Sequence, residues 1–323
     1  MNVGALQFFS WPGRRVPLPE VYERALSRVE IMDQTGYDCV WLAEHHFSTY
    51  SVCPSVHMMG VQVASRTENI RIGMGVTLAA MYHPLRIAEE VALLDHFSGG
   101  RVNWGAGRGF DRKEYEVFGV TPETGGEQFR ENFQIVVEAW KNEKLTYHGK
   151  YWDFEDVEVL PKPLQDPHPP VWMAATSRES IEAAAKLGFS ILMDPHSSHE
   201  EIGEKRQLFF DTLQEHGHST ENRILPTARL IAVADTDAEA EAIASQGAKW
   251  MLGSYVNRPD EDMDPVDRYV QKVMIHGTKE KVVDEILRLQ EEIGLDYLMC
   301  APLSHDSFVR FTNDVLPNLP IKN

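Results

Sequence analysis

The stretch Trp41-Leu42-Ala43-Glu44-His45-His46-Phe47 sets a short apolar run against a carboxylate and two imidazoles. Polar or glycine-rich chemistry follows in three further segments, Tyr82-His83-Pro84, Leu93-Leu94-Asp95-His96-Phe97-Ser98-Gly99-Gly100-Arg101 and Gly105-Ala106-Gly107-Arg108-Gly109. Each segment places polar or glycine-rich chemistry just after a short apolar strand, which is where a parallel α/β barrel builds its active site. Working outward, short apolar runs alternate with longer amphipathic ones, the pattern of strands and crossover helices. Strands are expected at residues 3–8, 39–42, 70–76, 102–105, 171–174, 190–193, 228–232 and 297–300. Helical patterns cover residues 22–35, 85–97, 181–186, 238–246 and 281–292, with stop signals at Gly36, Gly99-Gly100 and Gly188. The alternation predicts an α/β fold, a closed (β/α)8 TIM barrel with insertions, formed as a single domain over residues 1–323.

Two segments break the rhythm. Residues 142–170 carry Tyr147, Tyr151, Trp152 and Phe154 among prolines and charges, too irregular for a crossover helix, and read as an insertion packed beside the barrel. Residues 253–267 are polar and proline-punctuated, the composition of a disordered segment or of a lid, and a mobile lid is the expectation.

The formal net charge of -18 and pI near 5.1 repel polyanions, so nucleic acid and anionic membrane surfaces are poor partners. Cys39, Cys53 and Cys300 are few, odd in number and without metal-ligand spacing, which suggests neither a disulfide framework nor a zinc site. No His-Glu-x-x-His spacing occurs, and no metal centre is expected. Residues 1–10 lack a basic n-region, and no run of about 18 apolar residues offers a spanning helix, so a cytoplasmic location is expected.

Successive side chains of a strand point to opposite faces, so His45 and His46 can face one pocket only if the chain turns. An imidazole there can shuttle protons while Glu44 holds a tautomer or a donor-rich ligand; two structurally bonded histidines are the other reading. At residues 70–76 apolar side chains alternate with Arg71, Gly73 and Gly75, so one face is nearly bare near the strand's end. Either a flat ligand approaches that backbone or a tight interior demands small residues. Arg108, between Gly107 and Gly109, is suited to bidentate phosphate binding or to a surface salt bridge. Residues 171–180 end a strand in small residues, and Thr176 with Glu179 reads as a capping box whose following amides, Ser177 to Glu179, would favour an anion.

Taken together, residues 41–47, Tyr82-His83-Pro84, residues 93–101, Gly107-Arg108-Gly109, Val117-Phe118-Gly119, residues 171–180 and Ile275-His276-Gly277-Thr278 resemble the bacterial luciferase-like family of flavin-dependent monooxygenases. The resemblance implies a (β/α)8 barrel that binds reduced FMN, reacts it with oxygen to a C4a-hydroperoxyflavin and oxygenates a small organic substrate such as an aldehyde. It implies a separate flavin reductase as partner and a homodimer, to which residues 85–97 could contribute. Carried over by motif, His45 and Glu44 are the catalytic positions. Gly75-Val76 falls where the family has a non-prolyl cis peptide under the flavin, Arg108, Thr176, Ser177 and Ser180 match the phosphate contacts, and Ala175 lies near the ribityl chain. Gly107 stands where the luciferase α subunit has a reactive cysteine, so thiol-dependent steps and light emission are not expected. Two alternatives share the fold: an F420-dependent oxidoreductase and a flavin-binding protein without catalysis.

Overall fold

The computed structural model describes residues 1–254 and 263–321. These divide into two compact units, one of Met1–Leu6, Thr35–Asp38 and the described residues from Ala175 onward, the other of Gln7–Gln34 and Cys39–Ala174.

In the second unit the strands Cys39–Leu42, Arg71–Met74, Val102–Gly107 and Val171–Ala174 pair in that order, all parallel. A short strand, Thr77–Leu78, adds to the far end of Val102–Gly107. All four residues of Cys39–Leu42 and all six of Val102–Gly107 are buried, which is why they read as unbroken apolar or small-residue runs rather than alternating ones. The strand expected at residues 70–76 is Arg71–Met74, two residues shorter at its end, and Thr77–Leu78 follows the Gly75-Val76 break as a separate strand outside the expected bounds.

Helices Leu18–Gln34, Val56–Arg66, Pro84–Ser98 and Pro122–Lys141 belong to this unit, and two of them lie outside the expected set. Val56–Arg66 contains Gly60, which reads as a breaker in a helix. Its purpose is contact: a Cβ at Gly60 would lie 2.6 Å from Leu94 Cδ2, so the glycine lets Pro84–Ser98 approach. Pro122–Lys141 opens on Pro-Glu-Thr-Gly-Gly, a loop-like start rescued by Thr121, whose hydroxyl caps the Thr124 N–H. The expected insertion at residues 142–170 forms an antiparallel hairpin, Leu145–His148 with Asp153–Val157.

In the first unit Asn2–Gln7 pairs through Asn2–Ala5 with Tyr297–Pro302, which pairs with Thr227–Val233, which in turn pairs with Ile275–Gly277, all parallel. Met193, one residue past Ser190–Leu192, bridges Thr227. Helices Arg178–Lys186, His199–Glu215, Asp237–Ser254 and Lys279–Ile293 complete it. All eight expected strands are present within a residue or two of their bounds, and every pairing but the hairpin's is parallel, so the class is α/β. The expected lid falls mainly on residues outside those described; of that stretch, Asp264 caps the short helix Pro265–Arg268. No helix among the described residues is long and apolar enough to cross a membrane.

Candidate active site

The strand Cys39–Leu42 delivers Glu44, His45 and His46 at its carboxyl end. The chain does turn there: Phe47 takes a φ of 55°, a left-handed conformation uncommon for an aromatic residue. Both imidazoles are consequently buried, each beside its own carboxylate. His46 Nε2 lies 3.1 Å from Glu44 Oε1, and His45 Nδ1 lies 3.4 Å from Glu114 Oε1. The His46 backbone N–H also donates to Glu114 Oε1 at 2.8 Å, and the His45 N–H donates to the Cys53 carbonyl at 3.1 Å.

Glu44 is 2 % exposed and accepts a hydrogen bond from the Tyr82 hydroxyl at 2.7 Å. Burial, and then the neighbouring Glu44 charge, push the Tyr82 phenol well above its ordinary value, so it remains a proton donor to the carboxylate. Burial and the same charge raise the Cys53 thiol to about 12, which keeps it an unreactive thiol. Tyr82 is held from behind. Asn132 Nδ2 donates to the Ala79 and Tyr82 carbonyls at 2.7 and 3.0 Å, and the Trp152 indole N–H donates to Asn132 Oδ1 at 2.5 Å. The hairpin that the sequence leaves outside the site therefore buttresses it.

Aromatic rings wall the histidines. Phe8 stacks on His45 at 6.4 Å, Tyr50 and Phe110 meet it edge-on at 5.1 and 6.4 Å, and Phe118 meets His46 edge-on at 4.8 Å. Of these rings Phe110 and Phe118 are themselves exposed, so the aromatic wall faces solvent on that side.

The Gly75-Val76 peptide bond is cis, and the Gly75 N–H donates to the Leu42 carbonyl at 2.8 Å. The two readings of the bare strand face are resolved at Gly73, where a Cβ would lie 2.4 Å from Trp41 Cε3 and the space is filled by the indole. At Gly107 a Cβ would lie 2.8 Å from Val76 Cγ2 and 3.2 Å from Ala174 Cβ, so a cysteine there would displace Val76. Next to it Arg108 is exposed and makes no hydrogen bond or ion pair among the described residues. The salt-bridge reading of Arg108 is thereby not what the structure contains. Its loop is tied down by the Tyr115 hydroxyl, which donates to the Gly109 carbonyl at 2.8 Å.

In the other unit the cap at residues 176–180 lies one residue later than expected. The capping box is Ser177 with Ser180, not Thr176 with Glu179: Ser177 Oγ accepts the Ser180 N–H at 3.3 Å, and Ser180 Oγ accepts the Ser177 N–H at 3.1 Å. A serine can fill the third helical position because its hydroxyl also takes the Thr176 N–H at 3.1 Å and donates to the Ser177 carbonyl at 2.8 Å. The Ser177 amide is thus occupied, and the first-turn N–H groups of Arg178 and Glu179 are those without a partner among the described residues. Ala175 is buried, its N–H donating to the Leu192 carbonyl at 3.3 Å. Open amides at a helix start are donors of a kind that suits an anion, and so, in its own unit, is a guanidinium without a hydrogen bond or ion pair among the described residues.

Sequence reasoning missed Glu114 and Asn132. Glu114 sits in Asp111-Arg112-Lys113-Glu114, a charged run that reads as a solvated helix start, yet it is 1 % exposed.

The model of the luciferase-like monooxygenase family matches residues 1–297. The chain belongs to this family. A relative within it is the oxygenase component of the flavin-dependent trigonelline monooxygenase of Acinetobacter baylyi, 27 % identical over 92 % of this chain and 90 % of that protein. Among solved structures, the oxygenating constituent of 3,6-diketocamphane monooxygenase from Pseudomonas putida, in complex with FMN, superposes with a TM-score of 0.82 at 20 % identity, covering 100 % of this chain and 99 % of the other. An F420-dependent secondary alcohol dehydrogenase shares the fold equally well, with a TM-score of 0.82 at 17 % identity over 100 % and 99 % of the two chains. As a luciferase-like monooxygenase the protein is an oxidoreductase.

Proposed function

We propose that this family member is the oxygenase of a two-component system, using reduced FMN and dioxygen to insert one oxygen atom into a small organic substrate, an aldehyde being one candidate. The observation that carries the reading is the match of the luciferase-like monooxygenase model to residues 1–297, a span that includes Glu44, His45, Arg108 and Ser177. The relative named as an oxygenase component supports a separate reductase as the source of reduced flavin. The same reading takes the chain as one (β/α)8 domain working in the cytoplasm, supported by a single family model that runs through residues of both units.

When bound, reduced FMN supplies the electrons that activate dioxygen. The chain's own residues do the rest. Arg108 would take the phosphate through its fork; Thr176, Ser177, Ser180 and the open amides of Arg178 and Glu179 offer further donors to the same kind of group, with Ala175 beside the ribityl chain. Gly75 and Val76 would lie against the ring. His45 would move a proton during oxygen transfer, while Glu44, fastened to Tyr82 and His46, keeps the neighbouring imidazole oriented.

A homodimer belongs to this reading. Leu93 and Phe97 on Pro84–Ser98, and Met58 and Val61 on Val56–Arg66, are exposed on helices that pack together through Gly60, an apolar surface that a second copy would cover. The F420-dependent reading keeps a foothold in the dehydrogenase's equal structural likeness, although the charge of -18 disfavours a polyglutamate tail.

The test is oxygen transfer from ¹⁸O₂. Protein mixed anaerobically with chemically reduced FMN is exposed to labelled oxygen and a panel of aldehydes, cyclic ketones and N-heteroaromatic acids. Label in a product supports the proposal. Hydrogen peroxide alone across the panel points to flavin binding without catalysis, and reduction of a substrate by reduced F420 under anaerobic conditions points to the deazaflavin reading.

A further inference from the structure

The pairing of carboxylates with imidazoles at the end of Cys39–Leu42 is crossed: the residue beside His45 Nδ1 comes from a different element, the helix Arg112–Phe118. Glu114 is 1 % exposed, and among the described residues His45 is its only ion-pair partner; no lysine or arginine approaches it. Its Oε1 is pinned by the His46 backbone N–H at 2.8 Å. Its Oε2 is buried with no hydrogen-bond partner among the described residues. A carboxylate removed from water with one oxygen bare is costly unless a cation meets it. The nearest group able to become one is the imidazole 3.4 Å away.

The carboxylate is also held rigidly. Asp111 caps the helix by accepting the Lys113 and Glu114 N–H groups at 2.7 and 3.0 Å, and Tyr115, next in sequence, bonds back to Gly109. These bonds fix the backbone from which the Glu114 side chain projects, and the side chain itself is held by the His46 N–H and faced by His45 Nδ1.

We propose that Glu114 is the positioning residue of His45, an inference that rests on the reading of His45 as the proton-moving group. The carboxylate favours the neutral tautomer with the proton on Nδ1, which leaves the lone pair on Nε2 as the base. A proton taken up on Nε2 gives an imidazolium whose Nδ1–H faces Glu114, and release of that proton from Nε2 restores the starting ring. In this cycle the proton enters and leaves at Nε2, none passes to Glu114, and none is gained or lost overall.

The experiment has two arms. In ¹⁵N-histidine spectra of the cofactor-free protein, with His45 assigned by its loss in His45→Gln, the neutral ring is expected to carry its proton on Nδ1 in the wild type and to shift toward Nε2 in Glu114→Ala. An unchanged tautomer in Glu114→Ala overturns the proposal. In the oxygenation assay Glu114→Ala is expected to lose ~10- to 100-fold in turnover with FMN affinity within about twofold, and the Glu114→Ala/His45→Gln double variant to lose no more than His45→Gln alone. A double variant whose loss is the product of the two single losses means Glu114 does not act through His45. Should Glu114→Ala not fold, Glu114→Gln keeps an oxygen for the His46 amide and carries the same double-variant comparison. The spectra need neither flavin nor turnover, so failure of oxygenation in the wild type would fell the functional reading and leave this result standing.

Discussion

Replacement of Arg108 by alanine isolates the term that the functional reading places on it. The guanidinium is exposed and makes no hydrogen bond or ion pair among the described residues, so its removal should leave thermal stability within about 0.5 kcal/mol of wild type. All of its effect should then appear in cofactor binding. A charge-assisted hydrogen bond contributes about 1.5–3 kcal/mol, which corresponds to ~10- to 150-fold in dissociation constant. Arg108→Lys keeps the charge but loses the fork that matches a phosphate edge, and should fall between the two. The assay is quenching of flavin fluorescence, titrated with FMN and, in parallel, with riboflavin, which has the same ring and ribityl chain but no phosphate. Arg108→Ala should weaken FMN alone and flatten the dependence of its affinity on salt. Equal weakening of both flavins, or none of FMN, would refute the assignment of Arg108 to the phosphate.

Gly107→Ala should overpack the strand end, since its Cβ would stand 2.8 Å from Val76 Cγ2; a loss of ~1–3 kcal/mol in denaturant unfolding is expected, and an unchanged midpoint would contradict the contact. Burial, followed by the charge of Arg229, lowers the His199 imidazole from 6.5 to about 4. The folded-state value is depressed, so unfolded chains bind the extra proton and stability is lost as pH falls from about 6.5 toward 4; between pH 7.5 and 5.5 this amounts to about 1.3 kcal/mol. Urea unfolding at those two pH values should show that much less acid sensitivity in His199→Gln than in wild type, and identical sensitivity would refute it. Leu93→Lys combined with Phe97→Lys should convert the proposed dimer to monomer in light scattering at low micromolar concentration; a dimer that persists would move the interface elsewhere on the surface.

How much of this was legible beforehand follows from what each feature depends on. The eight parallel strands were readable because a strand buried on both faces must be apolar or small at consecutive positions, as in Cys39–Leu42 and Val102–Gly107. The histidines and Arg108 were readable because polar groups at a strand's end stand out against such runs. The helices Val56–Arg66 and Pro122–Lys141 were not, because Gly60 and the opening Pro122 to Gly126 violate local propensity and are justified only by Leu94 and by the Thr121 cap. The cap at Ser177 was misplaced by one residue because serine, threonine and glutamate all offer capping groups there, and only backbone direction selects among them.

The residues that flank the chemistry were therefore determined by local sequence, and their partners were not. Nothing near Glu44 in the chain says that Tyr82 will donate to it, or that His45 will face a carboxylate 69 positions further on rather than its immediate neighbour. Those choices arise when parallel strands align their carboxyl ends and bring successive loops together, so that burial, not adjacency, decides which carboxylate meets which imidazole.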